Sequence, residues 1–257
     1  MAELLFWAVM LTYGLAACAL VGEARRSGLP GRLAIWGVRA GWLAHTALLA
    51  VQAVQADGFP WSSAGGALTL FAWLVVGAYL IWGCRPRFRL LGLAVMPAAA
   101  LLLVAAYAGG GIGEAPGGPS PLLALHVALM LGAFAGFALA AGLAGFYLWQ
   151  ERRLKLRRPG ILRRRLPPVE GLEYLSARTV AVSLGLLTAG IGLGLASLAG
   201  DGGSFDAAMA VTLAAWAVFA GYLGLRRAGL HGRRAAYVNL AGFLVVALAL
   251  PITHFAP

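Results

Sequence analysis

Residues 122–150 read LLALHVALMLGAFAGFALAAGLAGFYLWQ, 29 consecutive residues without an Asp, Glu, Lys or Arg. The next fifteen, 151–165, read ERRLKLRRPGILRRR and carry eight Lys and Arg. A helix needs ~20 mostly apolar residues to cross ~30 Å of hydrocarbon, so the first run is long enough to span a bilayer. The abrupt basic run marks where it leaves. Leu, Ala and Gly dominate without period-2 alternation, which predicts a helix and argues against a β-barrel strand. The run is longer than the bilayer, so its helix is predicted to continue past Gln150 until Pro159 stops it.

Seven further stretches of the same character lie at 4–22, 33–53, 67–83, 90–108, 175–199, 207–225 and 235–255. The predicted fold is therefore all-α: eight transmembrane helices forming one integral-membrane domain over residues 1–257. Composition agrees, with 61% hydrophobic and 11% charged residues and a mean hydropathy of +0.84. Too little polar surface remains for a soluble enzyme or a disordered chain. The net charge of +11 does not indicate nucleic acid as a partner, because a DNA-binding face sits on a water-soluble body. The first span lacks a basic leader and an A-x-A type site, and is read as a retained helix. Cys18 and Cys84 make neither a disulfide framework nor a CxxC pair, and read as small apolar residues.

The basic residues orient the spans. Eighteen of the 20 Lys and Arg fall in the first, third, fifth and seventh connections, and the even connections carry none. Asp57, Glu114, Asp201 and Asp206 lie in the even set. The positive-inside rule then puts the odd connections in the cytoplasm and both termini outside. Arg178 lies near the start of span six, and Arg39 lies two turns into span two, close enough to snorkel. The basic fifth connection, about 151–172, has two open readings: topology anchoring with attraction to anionic lipid, or docking of a cytoplasmic protein.

Four histidines are present. His231 sits among arginines in the seventh connection and reads as a solvated loop residue. His45 lies in the outer half of span two, His126 one turn into span five, and His254 near the outer end of span eight. Intramembrane ionisable groups are costly and tend to be functional. Neutral imidazole is a common ligand for haem iron and transition metals. The alternative is that each histidine hydrogen-bonds a neighbouring helix. No carboxylate accompanies them in the spans, which favours a macrocycle over a bare ion. Glycine steps such as Gly37-x-x-x-Gly41 and Gly132-x-x-x-Gly136 permit close helix approach and carry little functional information. Pro97 and Pro251 are candidate kinks. No Walker A, GxSxG or HExxH motif occurs, so no catalytic constellation is predicted and the chain is not read as an enzyme.

Two blocks resemble the cytochrome c assembly family of membrane proteins, the CcsA and HemX group. One is LHVALMLGAFAGFALAAGLAGFYLWQERRLK, where an "LH" pair opens the helix and a "YL..ERRLK" type ending closes it. The other runs from Asp206 through Trp216 and Tyr222 to Arg226, at the family's spacing. A weaker match is HTALL in span two followed by GFP and LTLFAWLVVGAYL. The resemblance implies a b-type haem held non-covalently near the outer face. It places His126 and His254 as candidate iron ligands, His45 as an inner ligand or relay, and Asp206, Trp216 and Tyr222 as family-motif residues.

The departures narrow this. Where the CcsA tryptophan-rich signature would stand the chain has DGGSFD; AAM follows the acid, and Gly224 stands where a histidine is expected. His254 arrives about two turns early. The resemblance is therefore closer to the HemX-type branch, which implies haem binding or transfer for cytochrome c biogenesis, or control of haem level. The outer connections offer no Lys or Arg to haem propionates, which limits how firmly an outer haem is held. Implied partners are the lipid bilayer, other cytochrome c maturation proteins, or a cytoplasmic haem-biosynthesis enzyme. The implied location is a bacterial cytoplasmic (inner) membrane. The alternative function is a non-haem scaffold acting through the basic connection, for example on the first enzyme of tetrapyrrole biosynthesis.

Overall fold

The computed structural model describes residues 1–25, 28–55, 64–83, 85–109, 121–156, 166–201 and 205–255; the side chains of 25, 64, 82–83, 121, 197–201 and 248–255 are outside that description. Among the described residues stand eight α-helices: α1 (Ala2–Arg25), α2 (Leu29–Gln55), α3 (Ala64–Gly83), α4 (Gly92–Ala108), α5 (Pro121–Lys155), α6 (Val169–Asp201), α7 (Ala207–Arg227) and α8 (Gly232–Phe255). No described residue is in a strand. Six of the helices, α1, α2, α4, α5, α6 and α7, are long and apolar enough to cross a membrane.

Helix ends depart from the hydropathy boundaries for identifiable reasons. α2 begins at Leu29, four residues early, with Pro30 in its first turn, where a missing N–H costs nothing. α6 begins at Val169 after Pro167 and Pro168, with Glu170 favourably placed against the helix dipole. α5 runs on past Gln150 to Lys155, as its length predicted. The basic stretch 157–165, the sites of Asp57 and Glu114, and Cys84 lie outside the described residues. Pro97 is accommodated inside α4.

The chain forms two compact units: Met1–Ser120 with Leu162–Leu166, and Pro121–Ile161 with Pro167–Pro257. In the first, α1 packs along α2, α2 meets α3, α3 pairs with α4, and α4 closes on α1. Its interior holds Tyr13, Leu20, Val38, Leu48, Val76, Tyr79, Met96 and Leu103. At one end Glu23 accepts N–H groups from Gly28 (2.8 Å) and Gly31 (3.0 Å). Arg89 lies 3.5 Å from the same carboxylate. Gly28 is at φ +140°, a conformation other residues rarely adopt. One carboxylate thus ties the ends of α1 and α2 to the approach to α4.

The second unit has the same order: α5 along α6, α6 to α7, α7 with α8, and α8 back on α5. Phe137 and Phe219 stack at its centre with ring centroids 3.8 Å apart, surrounded by Ala133, Val180, Leu187 and Ala215. Gly136 lies so close under Ser183 that a Cβ would collide with the hydroxyl. At one end Glu173 accepts Arg226 Nη1 at 2.7 Å and the Gly232 N–H at 2.9 Å, with His231 Nδ1 at 3.4 Å. That carboxylate joins the start of α6 to the end of α7 and the start of α8.

The two units also share sequence. Residues 69–80, TLFAWLVVGAYL, and 212–223, TLAAWAVFAGYL, agree at seven of twelve positions without a gap. In α7 the buried positions are Thr212, Ala215, Phe219 and Tyr222; their counterparts in α3, Thr69, Ala72, Val76 and Tyr79, are buried too. In each unit a tryptophan of the third helix donates its indole N–H to a threonine of the second: Trp73 to Thr46 at 2.8 Å, Trp216 to Thr188 at 2.9 Å. Each threonine donates in turn to the carbonyl four residues back, of Trp42 and Leu184. The chain is built from one four-helix plan used twice.

Candidate functional site

His126 lies on α5 one turn from its start and is half-buried. Its Nδ1 is 2.7 Å from the Gly190 carbonyl of α6. The carbonyl can only accept, so Nδ1 carries the hydrogen and the neutral ring keeps its lone pair on Nε2. The ring rests against Gly194, and Gly190 makes room for the neighbouring Met130. A Cβ on Gly194 would stand 2.8 Å from Cε1 and 3.1 Å from Nδ1 of His126, and one on Gly190 would stand 2.8 Å from Met130 Sδ. A histidine whose Nδ1–H is fixed on a backbone carbonyl has the orientation and tautomer of a metal-ligating imidazole.

His45 belongs to the first unit and is fully buried. Gly41, one turn earlier on α2, lets the Tyr13 ring approach to where a Cβ would sit 2.6 Å from it. The Tyr13 hydroxyl then reaches His45 Nδ1 at 3.3 Å. His45 Nε2 is buried without a hydrogen-bond partner, close to the Thr69 backbone. The repeat gives this a reference point. His45 and Leu187 each precede the clamped threonine of their unit, and both are fully buried. Where the second unit packs hydrocarbon, the first places an imidazole against a phenol.

His254 is helical, in the last turn of α8, and its side chain is outside the described residues. His126 and His254 belong to one unit and His45 to the other. His231 is exposed beside Glu173. Among the described residues no three His, Cys, Asp or Glu side chains gather as a metal cage.

The motif residues have local duties. Asp206 is the N-cap of α7, with Oδ1 accepting the Met209 N–H at 2.7 Å; such caps contribute about 1 kcal/mol. Trp216 clamps α7 to α6 through Thr188. Tyr222 is buried beside Ser176 and Arg226. The sequence reading passed over Ser176 and Asn239. Asn239 is fully buried and donates to Ser176 Oγ (2.9 Å) and the Ala140 carbonyl (3.2 Å), holding α8 to α6 and α5. An Asn inside an apolar span was the available signal.

Residues 61–255 match the family model described as cytochrome C assembly protein, a region that takes in α3 to α8. The chain is also 34% identical over 145 residues to an uncharacterized 28.8 kDa protein in a nifR3-like 5' region of Azospirillum brasilense. The match covers 54% of this chain, and the chain spans about half the length of that relative, 53%. With the family model matched over most of its length, the chain belongs to the cytochrome c assembly protein family.

Proposed function

We propose that this protein is an eight-span, HemX-type haem-handling protein of a bacterial inner membrane, with both termini on the outer side. It would bind b-type haem non-covalently, for cytochrome c biogenesis or control of haem level. His126 would supply one nitrogen to the iron and His254 the second, with His45 as an inner ligand or relay. The observation that carries this reading is the 2.7 Å bond from His126 Nδ1 to the Gly190 carbonyl, which leaves Nε2 as a directed lone pair. Family membership points to the same chemistry. His126 fits the group: a neutral, oriented imidazole is the donor that haem iron takes from proteins.

When bound, the haem supplies the iron chemistry. The chain's own part is to orient nitrogens and to exclude water with apolar helices, and no covalent step is assigned to it. The Tyr13 hydroxyl holds His45 Nδ1, and that contact orients the buried Nε2. Maturation proteins or a cytoplasmic haem-biosynthesis enzyme would be the partners.

The test is a visible spectrum of detergent-purified protein titrated with haem, repeated with His126→Ala and His254→Ala. A Soret shift in the parent that weakens in both variants is expected. No shift, or one indifferent to both substitutions, overturns the haem reading. In that case, loss of function on neutralising the charges of residues 151–172 would support the scaffold alternative.

A further inference from the structure

Arg233 and Arg234 occupy the first turn of α8 and are exposed. That is the positive end of the helix dipole, where arginine is disfavoured and an anion is attracted. The Gly232 N–H is already taken by Glu173, so the carboxylate serves the backbone and leaves these two guanidiniums unneutralised by it. Arg233 is held in place: its guanidinium lies 5.3 Å from the Tyr237 ring centre. Its Nε and Nη2 donate to the Tyr237 hydroxyl at 3.3 and 3.1 Å. The guanidinium is thus oriented before any ligand arrives.

The neighbouring helix repeats the pattern. On α5, which packs on α8, Arg153 lies 5.3 Å from the Trp149 ring centre. The helices adjoin here, since a Cβ on Gly232 would sit 3.4 Å from the Tyr147 hydroxyl. Glu151, the carboxylate of α5 within electrostatic reach of Arg233, is engaged by Lys155 at 2.7 Å. One step toward the apolar part of each helix the surface changes character: Trp149, Tyr237 and Val238 are exposed. The patch has oriented cations at the rim, aromatic rings beneath them and exposed hydrocarbon below. This is the profile of a phospholipid from phosphate through glycerol to acyl chain.

We propose that the α5–α8 end of the second unit is a binding site for an anionic phospholipid, its phosphate held by Arg153, Arg233 and Arg234 and its chains lying along α5 and α8. The occupant is a lipid and not free phosphate because the cations adjoin exposed apolar surface beside α5, a helix long enough to span the bilayer. The proposal rests on the reading that α8 crosses beside α5, but not on haem binding.

The test is thermal unfolding of the full-length protein in detergent with added phosphatidylglycerol, phosphatidylcholine or inorganic phosphate. Native mass spectrometry would count retained lipids. Phosphatidylglycerol should raise Tm by several degrees and leave bound lipid, and the other two should not. The triple variant R153Q/R233Q/R234Q should lose that response, and R153K/R233K/R234K should keep part of it, which controls for folding. Equal responses to the two lipids, an equal shift with phosphate alone, or an undiminished response in the Gln variant would overturn the site. None of those results bears on the histidines.

Discussion

Trp216 donates its indole N–H to the Thr188 hydroxyl at 2.9 Å, and that hydroxyl donates to the Leu184 carbonyl at 2.8 Å. The threonine therefore uses its single hydrogen within its own helix and its lone pair between helices. Trp73 and Thr46 stand in the same relation in the other unit. Two copies of one joint should respond alike. Thr188→Val and Thr46→Val each remove the acceptor and leave an indole N–H unpaired. Double-mutant cycles with Trp216→Phe and Trp73→Phe should each return a coupling of about 0.6–1.7 kcal/mol, measured by unfolding in mixed micelles. Coupling in one unit only would show that the repeat is not energetically shared.

Gly194 controls the orientation of His126. In Gly194→Ala the new methyl would meet the imidazole at 2.8 Å, forcing the ring away from the Gly190 carbonyl. Haem affinity should fall about 10- to 100-fold, the usual effect of losing the group that orients a ligand, while unfolding changes little. Ala at Gly192, which has open space at its Cβ, is the matched control and should bind as the parent does. A Soret titration of both reads the difference.

Buried polarity in the first unit should be separable from its stability. Tyr13→Phe leaves the His45 ring without its hydrogen-bond partner and should cost about 1–3 kcal/mol. Adding His45→Leu, the residue type that precedes the clamped threonine in the other unit, removes both polar partners. The double variant should then be at least as stable as Tyr13→Phe alone, because paired apolar replacement can be neutral or stabilising. Chemical unfolding of the three proteins tests this, and a double variant less stable than the single would refute it.

Glu173 is a junction for three helix ends. Glu173→Ala strands Arg226, whose side chain is only 14% exposed, and frees the Gly232 N–H. A loss of about 1–3 kcal/mol is expected, with part of the ion-pair contribution screened by solvent. Proteolysis at the α7–α8 turn, where Gly229 and Gly232 have positive φ, should become faster. The Glu23→Ala variant should show the equivalent effect at the α1–α2 turn.

The number of helices, and their ends to within a few residues, were legible in the sequence because lipid solubility is a local property of each segment. Residues 122–150 announce a span without reference to anything else in the chain. The early starts of α2 and α6 were missed because Arg32, Glu170 and Glu173 lower hydropathy where the backbone is already helical. Asp206 was legible as a motif acid, and its role as the N-cap emerged only with the start of α7 at Ala207. The repeat was present in TLFAWLVVGAYL and TLAAWAVFAGYL, although its meaning depends on which faces of those helices are buried.

Only the tertiary structure decided what His45 and His126 meet. A helix in lipid is apolar all round, so its sequence carries little periodic signal for which face packs inward. The rotation of α5 that puts His126 on the Gly190 carbonyl is set by the paired surfaces of α5 and α6, and so is the close approach of Gly136 to Ser183. Likewise the approach of Tyr13 over Gly41 decides that His45 is a hydrogen-bonded core residue with one nitrogen left over. The sequence determined by itself that the chain is a bundle of apolar helices with basic connections and a few interior imidazoles. Packing between helices, which no single segment encodes, decided which of those imidazoles has a nitrogen oriented for a ligand.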